Sequence, residues 1–145
     1  MLIKQISVFL ENQKGRLAAA TELLGRAKID LVALSVADTT DFGIMRCIVS
    51  HPEQALALLR ENGFTASMTD VLAVEVTDEP GGLNRVLELM DENDINVEYL
   101  YSFVRTPKHN ALIIFRVEDN QKCIALFKQH GIRLLDGEQV SQMGR

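Results

Sequence analysis

The sequence predicts an α+β fold made of two tandem βαββαβ units, each an antiparallel sheet with its helices on one face. Three observations predict it. First, the segment TDEPGGLNRVLELM at 77–90 has a divergent copy, ENQKGRLAAATELL, at 11–24. Second, strand-like and helix-like runs follow in the same order after each copy. Third, 145 residues with 47% hydrophobic and 24% charged side chains suit a globular chain of one ordinary domain or two very small ones. With Gly15 set on Gly81, Val8 meets Val74, Leu17 meets Leu83, Leu23 meets Leu89, Ile29 meets Ile95 and Leu34 meets Leu100. Two extra residues near RTPKH shift the frame, after which Val49 meets Val117, Leu58 meets Leu126 and Gly63 meets Gly131. Two copies are too few for a solenoid, so similar units lie side by side. The boundary falls near Thr69, giving units 1–69 and 70–145.

Each element has its own signal. KQISVFL at 4–10 and LAVEV at 72–76 are the first strands. Leu17, Ala20, Leu24 and Ala27 form a helical stripe, as do Leu83, Val86, Leu87 and Met90 at i, i+3, i+4 and i+7. DLVALSVA at 30–37 and NVEYLYSFV at 96–104 are second strands; FGIMRCIV at 42–49 and NALIIFRV at 110–117 are third strands. PEQALALLREN at 52–62 and NQKCIALFKQH at 120–130 are short helices, each followed by a glycine suited to a left-handed end, Gly63 and Gly131. FTASM at 64–68 and IRLL at 132–135 close the units as fourth strands. Right-handed crossovers then give a ferredoxin-like layer in each unit.

Such a layer leaves one sheet face bare, yet the third strands are apolar at successive positions and Tyr99, Tyr101 and Phe103 add aromatics at period two. The expectation is that the other repeat, a second chain or both cover this face, and that the protein is a homo-oligomer, a dimer. A net charge of -5 argues against nucleic acid. No apolar run reaches membrane-spanning length and no signal peptide opens the chain, so a cytoplasmic protein with two reduced thiols, Cys47 and Cys123, is expected. Cys123 falls on an apolar helix stripe and reads as core. His51, His109 and His130 lack metal-ligand spacing, and Lys108 and His109 fall in a hairpin. No nucleophile–base pair or paired carboxylates stand out, and no cofactor is implied.

The strand-to-helix loop is the best candidate site. Gly15 and Gly81 permit close backbone approach, and the helix start that follows attracts a carboxylate. Pro80 stiffens the entry. Asp30 and Asn96 open the second strands, and Asn12 and Asp78 sit in the loops; all have side chains able to bond an amino acid's charged ends. The same residues also serve ordinary turn geometry. The segment VTDEPGGLNRVLELMDENDINVEYLYS resembles an ACT domain, and LENQKGRLAAATELLGRAKIDLVALSV is similar to a more divergent copy. That resemblance covers nearly the whole chain as two tandem ACT domains. It implies a non-catalytic regulatory module that binds a small effector, an amino acid, between two such domains. The family's ligand positions carry over to Asn12, Gln13, Lys14, Gly15, Arg16 and Leu17 with Asp30, and to Asp78, Glu79, Pro80, Gly81, Gly82 and Leu83 with Asn96. Lys14 stands where the family favours proline and Asp30 where it favours asparagine, so the second set is favoured. A regulatory subunit of an amino-acid biosynthetic enzyme, similar to the small subunit of acetolactate synthase, is a specific version that implies a metabolic enzyme as partner. The alternatives are a ligand-free dimerisation scaffold and an acylphosphatase-like enzyme. The second would need an arginine-bearing phosphate loop, for which Arg16 has no counterpart at Gly82.

Overall fold

The first unit begins with β1 (Ile3–Glu11), whose residues alternate between buried and accessible except at Gln5 and Ile6, which are both buried, and turns into α1 (Arg16–Arg26) at Gly15. β2 (Leu31–Asp38), β3 (Phe42–Val49) and α2 (Pro52–Glu61) follow. β4 (Thr65–Thr77) leads through Gly81 into α3 (Gly82–Glu92), then β5 (Val97–Ser102), β6 (Asn110–Val117), α4 (Asn120–Gln129), β7 (Leu134–Leu135) and α5 (Gly137–Gln142). This computed structural model describes residues 1–11, 13–38, 41–103 and 110–142. Asn12 and the expected hairpin residues Lys108 and His109 lie outside them. No described helix is long and apolar enough to cross a membrane.

The duplication is legible in the backbone. Gly15 and Gly81 adopt φ of +91° and +86°, and Lys28 and Asp94, non-glycine residues beyond the ends of α1 and α3, both sit in the left-handed region at +57° and +56°. All strands join in one antiparallel sheet of order β2-β3-β1-β4-β6-β5, with β7 also paired to β4. FTASM and LAVEV are not separate strands: residues 65–77 form a single one. β1 pairs with its first part, from Thr65 to Val71, and β6 with the rest, from Leu72 to Thr77. IRLL contributes only Leu134 and Leu135, and the turn of helix after it had no periodic signal.

Among the described residues three cores hold the fold. On the helix side of the first unit, Ile6, Val8, Met45 and Cys47 pack against Ala20, Leu24, Ala55 and Leu59. On the helix side of the second, Leu72, Val74, Ile113 and Phe115 pack against Val86, Met90, Cys123 and Phe127. Each large aliphatic or aromatic side chain fully withdrawn from water stabilises by about 1.5–3 kcal/mol. The third core lies between the two helix-free faces. Ile3, Val32, Ala33 and Ile48 meet Tyr101, Phe103, Leu112 and Ile114, with Val140 of α5 at one end. The sheet therefore curls until its edges touch, and Ala33 bridges Phe103. The cover expected for the bare faces is the other repeat, so the apolar strand 110–117 needs no second chain to hide it. Gln5, wholly buried in this curl, donates to Ser7 Oγ at 3.2 Å and Tyr99 Oη at 2.7 Å and accepts from Tyr101 Oη at 2.7 Å.

Candidate functional site

The second unit's loop is built from the end of β4. Glu79 N–H donates to Thr77 O at 3.0 Å, Gly82 N–H to Glu79 O at 2.9 Å and Arg85 N–H to Gly81 O at 3.0 Å. Gly82 is buried against the strand it has just left, and a Cβ there would lie 2.0 Å from Thr77 O. α3 has no side-chain cap, so the N–H groups of Leu83 and Asn84 belong to a first turn without intrahelical acceptors. The helix start carries the partial positive charge expected of it.

Beside this helix start lies a cleft of about 310 Å³ lined by Glu75, Thr77, Gly82, Arg85, Asn110 and Arg133, with Val76, Val86, Gly131 and Ile132. Glu75 is the organising group. Its side chain is only 14% exposed, and it accepts from Asn110 Nδ2 at 2.9 Å and from Arg133 Nη1 at 3.0 Å. Arg85, on the first turns of α3, pairs with Glu79 at 2.5 Å across the loop. The cleft thus offers a shielded carboxylate, two guanidinium groups, an amide and a helix start within one small space. That set can hold opposite charges a few ångströms apart.

The predicted residues do not all meet there. Of the second predicted set only Gly82 lines this cleft; Asp78, Glu79, Pro80 and Gly81 are exposed in the loop and outside its lining, and Leu83 is half-buried against the second core. Asn96 is elsewhere: it lines a separate cleft of about 600 Å³ with Asp94, Glu118, Asn120 and Lys122. The register explains why. Thr77 pairs with Asn110 at one end of β6, whereas Val97 pairs with Val117 at the other, roughly 23 Å away at about 3.3 Å per residue. In the first unit Gln13, Lys14, Gly15 and Leu17 are exposed, and Asp30 lies at the far end of β2, where its N–H donates to Ser50 Oγ at 2.9 Å. Loop and second-strand start therefore cannot share a pocket within one unit. Arg16 stands where the second unit has Gly82; its guanidinium covers Phe64 at 4.3 Å, and its Nε is buried with no hydrogen-bond partner among the described residues. Phe9 and Phe42, 5.5 Å apart, occupy the places of Glu75 and Asn110. Reading the sequence for loops missed Glu75, Arg85, Asn110 and Arg133. The available signal was Glu75 itself, a charge set inside the apolar run LAVEV.

The family described as "ACT domain pair" matches residues 1–143. The chain belongs to the ACT domain family. Its ACT pair is similar over 98% of its length to protein BT0572 from Bacteroides thetaiotaomicron, with 37% identity, 97% of that chain covered and a TM-score of 0.92. The regulatory subunit of aspartate kinase from Thermus thermophilus, in its ligand-free form, shares the fold at 18% identity and a TM-score of 0.65, covering 88% of this chain and 93% of that one. The Thermus flavus counterpart shares it at 15% identity and a TM-score of 0.61, covering 87% and 90%. No curated protein matches the chain.

Proposed function

We propose that this ACT pair is a non-catalytic regulatory module that binds a free amino acid in the cleft beside Pro80 and Gly81. The observation that carries this reading is the convergence of Glu75, Arg85, Asn110 and Arg133 on the start of α3. An α-carboxylate suits the helix start and Arg85, and an α-ammonium suits Glu75. The first unit lacks this polar set, so one effector per chain is expected. Binding would regulate by favouring one arrangement of the units or of a partner enzyme over another. The regulatory subunits of aspartate kinase that share the fold support a partner of that class, an enzyme of amino-acid metabolism. The two cysteines do not supply a nucleophile, because burial pushes both thiols up to about 12.

A thermal-shift screen of the twenty amino acids tests the reading. A ligand at a hundred times its Kd adds about 2.7 kcal/mol, a rise of roughly 5–10 °C for a chain of this size. Glu75→Gln should abolish the shift, and Asn96→Ala, at the other end of β6, should leave it. No shift with any amino acid at millimolar concentration refutes the proposal in favour of a ligand-free scaffold.

A further inference from the structure

The curl between the two units closes at one level and opens at the next. Tyr101, Phe103 and Gln5 are buried where it is closed. One row further along the sheet, Arg46 of β3 pairs with Ser7 of β1 and with Ser35 of β2, and Ser7 pairs in turn with Ser67 of β4. Residues paired directly across antiparallel strands share a face, their Cβ atoms about 4.5–5.5 Å apart, so Arg46, Ser7, Ser35 and Ser67 lie in one row on the inner face, where Ser7 Oγ accepts from Gln5 Nε2 at 3.2 Å. Arg46 is half-buried, and its guanidinium lies 3.9 Å from the centre of the Tyr99 ring contributed by the opposite unit. Among the described residues no hydrogen bond or ion pair to a carboxylate engages this guanidinium besides the stack. The row beyond is apolar: Phe9, 45% exposed, pairs with half-buried Ile44.

A stacked guanidinium keeps the edge of its N–H fork available, and that edge matches a carboxylate in two parallel hydrogen bonds. Serine hydroxyls rotate to donate to the same oxygens. We propose that the mouth of this curl is a second binding site, separate from the Pro80 cleft, for a small organic carboxylate with an apolar body. The head group sits on Arg46 between Ser7 and Ser35, and the body lies toward Phe9 and Ile44. Because Tyr99 belongs to the second unit and the arginine to the first, an occupant touches both halves of the chain.

The test is calorimetric titration of the whole chain with phenylacetate, phenylacetamide and inorganic phosphate. Phenylacetate should bind saturably, and the amide and phosphate each about tenfold more weakly, since one lacks the charge and the other the apolar body. Arg46→Gln should weaken phenylacetate about tenfold, Ser35→Ala a few-fold and Phe9→Ser a few-fold; the last two keep the test decisive if the arginine variant does not fold. Glu75→Gln, which disarms the amino-acid cleft, should leave phenylacetate binding in place, so failure of one site is told from failure of the other. Absence of saturable phenylacetate binding, equal binding of the amide, or unchanged affinity in the Arg46 and Ser35 variants overturns the proposal.

Discussion

Two glycines that look alike in sequence do different work. Gly15 needs only its φ of +91°, because a Cβ there meets nothing within 4 Å. Gly82 has no need of positive φ; it has no room, since a Cβ would fall 2.0 Å from a backbone carbonyl oxygen. Gly15→Ala should therefore cost about 1 kcal/mol of backbone strain, whereas Gly82→Ala must push α3 off β4 and cost about 3 kcal/mol. Urea denaturation of the two variants measures both, and equal losses would remove the distinction. The signature PGG was readable as a turn, but which of its glycines carries the steric demand was not, because the clashing atom belongs to Thr77, five residues earlier. The same limit hid the cleft. Glu75, Arg85, Asn110 and Arg133 are brought together by the fold and not by spacing, so all four were missed, although Glu75 offered a signal as a charge within an apolar run.

Elements with a strong period were legible and those without were not. The stripes of α1 and α3 and the apolar third strands gave their positions. α5 was missed because six residues, GEQVSQ, are too few to show a period. Its single apolar residue nevertheless anchors it: Val140 is 2% exposed in the core between the units, and Ser141 Oγ donates to Ser50 O at 3.2 Å. Val140→Ala should destabilise the protein by about 2 kcal/mol, the value of roughly two buried methylene-sized groups. A loss below a few tenths of a kcal/mol in thermal or urea melts would mean that α5 rides on the fold without supporting it.

For the molecule as a whole, the division into units predicted two bodies with a joint near Thr69. Tyr99, Tyr101 and Phe103 did signal a second packing face, yet sequence left open which surface they would meet. The structure answers with the sheet's own opposite end, and the joint is a strand. Cooperativity follows. Cys47 lies in the first unit's core and Cys123 in the second's, both protected by burial. If the shared core and β4 couple the units, both thiols should become reactive over one and the same urea transition, followed by alkylation and mass spectrometry. Separate midpoints would show that the halves melt independently. The unbroken run of β4 has a further implication for anyone who would divide the gene. A cut where the repeat suggests one, between residues 69 and 70, bisects a strand. Each fragment would inherit a stump with dangling amide and carbonyl groups. The duplication is thus visible as history, while the seam between the copies now runs through the middle of a strand that both units share.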